Sequence, residues 1–369
     1  MSLSVPFVAL DLQQRLLKPE LMTAIESVID GGQFILGGEV AEFERRFAEL
    51  TGSPAAVGIA SGTCALLLAL RALGIGEGDE VVTPANSFVA SAATIALAGA
   101  RPVLVDVRDD FNVDPDLVER AVTGRTRAIV PVHLTGRPAA MDRIEEIARR
   151  RGLAIIEDAA QAVGARLGGR SVGTFGEIGC FSLHPLKNLG ACGDAGIVTV
   201  SDESLARALR QSRNHGLRDR DNCESFSYNC RLDTLQAAIL NVKLRHLEAW
   251  TAAKRRLAAR YRQALSDVVR VPDERPGEFA VYQTFVVRAD RRDDLQRHLL
   301  ARGIDSKIHY PVPIHLQAAA RSLGYAKGDF PVTERLATEI LSLPIYPELT
   351  DEQVDLVVAG VRSFYLGRS

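Results

Sequence analysis

Over the first 200 residues, short apolar runs rich in β-branched side chains alternate with stretches whose apolar residues recur every three or four positions. Runs at 55–59, 80–83, 102–107, 128–132, 153–157 and 197–200 have the length and composition of buried strands. Helical patterns such as 64–70 and 139–151 lie between several of them. Strand alternating with helix predicts an α/β fold, with a mostly parallel central sheet covered by helices. In such sheets ligands bind beyond the carboxyl ends of the strands. Residues 232–265 read as one long helix, bent or straight, and a smaller α+β unit follows. It holds a strand at 281–288, a helix at 292–302, a short strand at 341–344 and a last helix at 351–363. The expected division is a large domain over residues 1–250, including the N-terminal segment, and a small C-terminal domain over 251–369; each is long enough for its own core.

Ser61, Asp158 and Ser182 fall on one rim of the predicted sheet. Ser61-Gly62-Thr63 follows the 55–59 run and opens a helix, where free backbone N–H groups and the positive helix end suit a phosphate. The same residues also make an ordinary helix cap. Asp158 ends the apolar run Ile155-Ile156-Glu157, and Lys187 lies in Ser182-Leu183-His184-Pro185-Leu186-Lys187-Asn188-Leu189-Gly190. A lysine amine can form a Schiff base with pyridoxal phosphate, and a carboxylate at the pyridine nitrogen keeps that nitrogen protonated. Taken alone, either residue is more often a solvated lysine or a helix-capping acid.

Composition excludes several classes of partner. The 46 acids nearly cancel the 44 bases and no strongly basic stretch occurs, which argues against nucleic acid. Cysteines at 64, 180, 192, 223 and 230 are odd in number and lack metal-ligand spacing, as expected of a reducing cytoplasm. No run approaches the ~18 apolar residues of a membrane span, and Met1-Ser2-Leu3-Ser4-Val5-Pro6 lacks the pattern of a leader, so a soluble cytoplasmic protein is expected. His309 and His315 have no third ligand at recognisable spacing, so no metal site is expected.

The order of these pieces and the words around them carry a resemblance. Glu157-Asp158-Ala159-Ala160-Gln161-Ala162, Phe181-Ser182, Lys187-Asn188-Leu189-Gly190, Gly193-Asp194-Ala195-Gly196, Arg213-Asn214-His215-Gly216 and Tyr228-Asn229-Cys230-Arg231-Leu232-Asp233 are similar to motifs of the DegT/DnrJ/EryC1/StrS family of nucleotide-sugar aminotransferases. The similarity runs from about Pro6 into the C-terminal region. It implies a fold-type I pyridoxal-phosphate transferase. Lys187 would carry the cofactor and move the proton, Asp158 would meet the pyridine nitrogen, and Gln161 the ring hydroxyl. Phe88 would stack on the ring, while Ser61, Gly62, Thr63 and Ser182 would hold the phosphate. Asn229 would reach the phosphate from a neighbouring subunit, implying a homodimer with shared active sites. His184, Arg231, His309, Tyr310 and His315 would face the substrate; for His315 a structural hydrogen bond is the competing reading.

The implied reaction passes an amino group from L-glutamate, which leaves as 2-oxoglutarate, to a keto group of a nucleotide-linked deoxysugar. The aminosugar product would serve lipopolysaccharide, glycan or secondary-metabolite assembly. Two departures bear on where the amine is placed. Leu183-His184-Pro185 stands where many relatives acting on 3-keto sugars have Phe-Tyr-Pro, and Ala195 replaces the third residue of Gly-Asp-Gly-Gly. Pro84-Ala85-Asn86-Ser87-Phe88 and His309-Tyr310-Pro311 instead favour amination at C3 over C4. Among rivals, a sugar dehydratase of the same family would carry His in place of Lys187, and a non-catalytic regulatory homologue would have no use for the assembled lysine, acid and phosphate turn. An NAD-dependent oxidoreductase would need a Gly-x-Gly-x-x-Gly turn after a strand, which the chain lacks.

Overall fold

The computed structural model describes residues 3–367; Met1, Ser2, Arg368 and Ser369, at the outer ends of the two expected domains, lie outside the described residues. The strands in chain order are β1 (Ala55–Ile59), β2 (Glu80–Pro84), β3 (Arg101–Val105), β4 (Thr126–Ile129), β5 (Ala154–Asp158), β6 (Arg166–Leu167), β7 (Arg170–Ser171), β8 (Ile178–Ser182), β9 (Gly196–Val200), β10 (Glu278–Phe279), β11 (Phe285–Arg288) and β12 (Ile340–Leu343). Seven form the main sheet in the order β1-β9-β8-β5-β4-β2-β3. From β3 to β8 neighbouring strands run parallel, whereas β9 is antiparallel to both β8 and β1. The reason is local. A parallel return needs a long crossover, but residues 183–195 have no helix or strand of their own and turn straight back. Lys187 rides on that turn, beyond the carboxyl end of β8.

Strands β1, β2 and β9 are buried throughout, as expected of a sheet covered on both faces. The helix Gly62–Ala72 packs over β8, β9 and β5, and its Leu66, Leu68 and Leu70 join Val57, Ile59, Ile156, Cys180 and Val198 in one apolar cluster. The helix Gly38–Thr51 covers the other side of β1, where Phe43 and Phe47 meet Phe181 and Leu232. Beneath it a buried ion pair joins three elements. Glu44 is bonded to the Arg213 guanidinium and accepts from the Gly58 N–H, while Arg213 donates to the Gly58 carbonyl at 2.7 Å. Strand β1, which leads into Ser61-Gly62-Thr63, is therefore pinned by charge as well as by its ladder.

Three sequence expectations change. The stretch expected as one helix is two, Thr234–Leu244 and Leu247–Leu265, divided at Arg245-His246. The first lies against the helices Leu10–Gly31 and Gly38–Thr51, whereas the second packs on the helix Asp351–Leu366. Only the latter half of 281–288 is strand, because Tyr282 takes a left-handed backbone angle (φ 47°). The domain division is also less simple. Leu247 packs in the large unit's core, whereas Leu257, Ala258, Tyr261 and Leu265 of the same helix build a second core with β11, β12 and the helix Asp351–Leu366. Val5 belongs to that second core too, forming a parallel bridge with Ile304. The start of the N-terminal segment thus packs with the C-terminal unit, while its helix Leu10–Gly31 lies on Thr234–Leu244 of the large one.

Removing one member of the ion pair tests its role. Arg213→Met leaves the buried Glu44 with only the more distant Arg210 (3.8 Å) and the Gly58 N–H, and should cost up to about 3 kcal/mol in urea-induced unfolding; replacing both Glu44 and Arg213 with apolar residues should recover most of that loss. An Arg213→Met protein as stable as the parent would show that the pair does not hold β1.

Candidate active site

Asp158 closes β5 and is 5% exposed. Its carboxylate accepts from Ser91 Oγ at 2.7 Å and from the Ala160 N–H at 3.2 Å, and among the described residues it makes no ion pair. Burial pushes its pKa up, against the pull of Ser91, the Ala160 N–H and the Lys187 charge. The Lys187 amine is shifted the other way: burial lowers its pKa, and the Asp158 charge only partly opposes this. A carboxylate and an amine thus share one enclosure, each made less willing to carry charge by its surroundings.

The phosphate-like cradle forms as the local sequence suggests. Ser61 caps the helix Gly62–Ala72 by accepting from the Cys64 N–H at 3.1 Å. That leaves the N–H groups of Gly62 and Thr63 outside the helix's own ladder. Close approach demands glycine at two positions here. A Cβ on Gly62 would sit 2.8 Å from Ser182 Cβ, and one on Gly196 would sit 2.5 Å from the Ser61 carbonyl carbon. The turn and the ends of β8 and β9 are thereby drawn into contact around Ser182.

Ser61, Gly62, Thr63, Phe88, Asp158, Gln161, Ser182, His184, Lys187 and Tyr310 line one cavity of about 320 Å3. Gln161 bridges the two units: its Oε1 accepts from the Thr135 N–H at 2.7 Å, and its Nε2 donates to Tyr310 Oη at 3.2 Å. Phe88 is half-exposed, its ring tilted against Tyr310 at 5.6 Å between centroids. His309 lines an adjoining cavity of about 210 Å3, to which Gln161, His184, Lys187 and Tyr310 also contribute. Burial and the nearby Lys187 and Lys307 lower the His309 pKa to about 4, so it is neutral near pH 7, and its Nδ1 meets Ser342 Oγ at 2.9 Å. Burial raises Tyr310 to about 12.

Three expected residues stand apart. Asn229 is exposed and bridges Asn214, while Arg231 bridges Ile59 and reaches Asn214 Oδ1 at 3.4 Å; neither lines either cavity. His315 is fully buried, bonded to Glu334 at 3.0 Å and edge-on to Phe330. Its expected substrate contact is replaced here by the structural hydrogen bond, since the short helix Ile314–Leu316 turns the ring into the core. Among the described residues no cluster of His, Cys, Asp or Glu could hold a metal, and no helix is long and apolar enough to cross a membrane.

Sequence reasoning missed the support behind Asp158. Ser91 holds the carboxylate and is itself met by Ser87 Oγ at 2.8 Å, two serines one helical turn apart; that spacing beside Phe88 was the available signal. Glu157, next door on the opposite face of β5, accepts from the N–H groups of Gly173, Phe175 and Gly176 and meets His133 Nε2 at 2.9 Å.

The arrangement fits pyridoxal phosphate on the strength of its own geometry. A glycine-bounded helix end with free N–H groups and hydroxyls suits a phosphate, and a buried carboxylate without a cation suits a protonated ring nitrogen. In the cofactor-free protein the raised pKa of Asp158 means that the folded state loses stability as pH climbs from the unfolded carboxyl range through the folded value. Asp158→Asn cannot ionise. The difference in melting temperature should therefore move in the variant's favour as pH climbs from about 4 toward neutrality, and a difference that stays constant would contradict the picture.

The sequence matches the DegT/DnrJ/EryC1/StrS aminotransferase family over residues 16–362. It is 44% identical over 368 residues to a pleiotropic regulatory protein of Geobacillus stearothermophilus, covering 98% of this chain and 99% of that one. It is 45% identical over 363 residues to the dTDP-3-amino-3,4,6-trideoxy-alpha-D-glucose transaminase of Streptomyces venezuelae, covering 98% and 96%. Among solved structures, S. venezuelae DesV in complex with a ketimine intermediate superposes with a TM-score of 0.97 at 44% identity, covering 99% of each chain. NtdA of Bacillus subtilis with bound cofactor PMP superposes with a TM-score of 0.91 at 30% identity, covering 97% of this chain and 84% of that one.

Proposed function

The chain belongs to the DegT/DnrJ/EryC1/StrS aminotransferase family, and from that premise we propose that it moves the amino group of L-glutamate to the 3-keto carbon of a nucleotide-linked deoxysugar. Its cofactor is pyridoxal 5'-phosphate. The observation that carries the reading is the single cavity in which Lys187, Asp158 and the Ser61-Gly62-Thr63 helix start converge. The name of the S. venezuelae transaminase supports amination at C3. The regulatory name of the Geobacillus relative is outweighed by this chain's lysine, acid and phosphate turn facing one another, an assembly that binding without turnover does not require.

Each residue has a defined task. The N–H groups of Gly62 and Thr63 and the hydroxyls of Ser61, Thr63 and Ser182 hold the phosphate. Asp158, held by Ser91, keeps a proton on the ring nitrogen. Gln161 orients the ring hydroxyl and Phe88 covers one ring face. When bound, pyridoxal phosphate supplies an electron sink for negative charge on the substrate carbon. Lys187 Nζ anchors the cofactor, then takes the proton from the donor's α-carbon and returns it at the next step; its lowered pKa leaves a larger share of free amine near neutral pH. The donor departs as 2-oxoglutarate, and the second half-reaction delivers the amine to the sugar. His184, His309 and Tyr310 face the sugar.

Asn229 and Arg231 complete the site in a neighbouring subunit. Asn229 is exposed and Arg231 part-buried, and both lie away from this chain's own cavity, which supports a homodimer with shared sites. Mixing inactive Lys187→Ala and Asn229→Ala proteins under exchanging conditions should then regenerate activity that neither shows alone; failure to do so would remove the shared site.

The reading itself is tested by visible spectroscopy with pyridoxal phosphate. The parent protein should gain an absorption band that Lys187→Ala lacks. L-glutamate without sugar should convert that band to the pyridoxamine form. A band unaffected by glutamate would exclude this donor, and no band at all would exclude the cofactor.

A further inference from the structure

The 210 Å3 cavity beside Lys187 contains two polar groups that the reaction outlined above does not use. Lys254, on the inner face of the helix Leu247–Leu265, is only 7% exposed. Its ammonium donates to Asn188 Oδ1 at 2.7 Å, which occupies one of three donors; among the described residues no other hydrogen bond is made by it. Thr284, also 7% exposed and at the start of the β11 segment, has a side-chain hydroxyl with no partner among the described residues. Both line the cavity that Lys187 shares. Burial lowers the Lys254 pKa to about 7 against the opposing charge of Glu348, so its charged form, with two idle donors in a cavity that also holds an unpaired hydroxyl, is costly to keep unless an anion regularly satisfies it.

We propose that Lys254 and Thr284 form the subsite for the distal carboxylate of a dicarboxylic amino donor. A carboxylate accepts from an ammonium and a hydroxyl at once, which matches the pair. The cavity's small volume favours an amino acid over a nucleotide, and its border with Lys187 puts the donor's other end beside the amine that moves its proton. Glu348 faces the same space, half-buried and with its pKa raised by that burial, so it opposes an incoming anion less than an exposed carboxylate would. Asn188 supplies the link to catalysis. Its N–H is held by Gln283 Oε1 at 2.9 Å and its amide by the Val281 carbonyl at 3.2 Å, so Lys254 is docked against the residue that follows Lys187.

This inference rests on the aminotransferase reading, and the test separates the two. Binding of glutarate, an unreactive dicarboxylate, is measured by titration calorimetry to the pyridoxal-phosphate-loaded parent, Lys254→Met and Thr284→Val proteins, with dTDP and UDP as parallel ligands. The visible band reports cofactor loading in each. Lys254→Met should weaken glutarate about 10-fold or more, and Thr284→Val about 3- to 10-fold, as expected for losing a charged and a neutral hydrogen bond; dTDP and UDP should be unaffected. Unchanged glutarate affinity in loaded Lys254→Met would overturn the subsite, as would a parent that loads cofactor but binds no glutarate. Parallel loss of dTDP or UDP affinity instead would assign the cation to a pyrophosphate and overturn the donor assignment. A parent protein that takes up no cofactor would bring down the aminotransferase reading first.

Discussion

A carboxylate buried without a cation is the constraint around which this molecule is built. Desolvating Asp158 is unfavourable, and the protein offsets it only in part, with one serine hydroxyl and one backbone N–H. To supply even these, the chain must bring the helix Ala90–Leu97 to the end of β5 and turn sharply at Ala159-Ala160. Under the proposed function, the remaining deficit gives a positively charged ring nitrogen its place. Structure and chemistry are then one electrostatic problem, left unsolved by the polypeptide and completed, under that proposal, by the cofactor.

Neighbouring charges are treated quite differently. Glu157, one residue earlier and pointing the opposite way, is saturated by three backbone N–H groups and His133. Glu44 and Arg213 neutralise each other under β1. These groups fix the strands in position, while Asp158 and Lys187 are held at the cavity with their charges discouraged. The alternation of side chains along β5 makes the contrast possible, since adjacent residues face opposite sides of the sheet.

What could be read from the sequence was what is encoded locally. The strand runs, the helix start at Ser61 and the turn carrying Lys187 each depend on neighbours within a few residues, so their positions follow from spacing and residue type. Ser91, Lys254 and Thr284 reach the site only through tertiary packing; for Ser91 the one local sign was its four-residue spacing from Ser87 beside Phe88, and nothing near Lys254 or Thr284 in sequence marks them out. His315 shows the converse case, where sequence left a substrate contact and a structural hydrogen bond both open. As a histidine in a proline-rich loop it reads as available, yet Glu334 and Phe330, distant in sequence, enclose it. The division of 232–265 into two helices likewise reflects two different cores claiming its halves, a competition invisible to periodicity.

The pairing of Val5 with Ile304 has a consequence for the order in which the molecule is made. The second core draws on Val5 at one end of the chain and Val361 near the other. The large sheet can therefore assemble while the ribosome is still at work, but its companion closes only once the segment out to Val361 has emerged. His309 and Tyr310 come from that late-closing part. Synthesis that stops early would yield a sheet able to fold around its own core yet lacking one wall of its cavity, so catalytic competence arrives with the last helix.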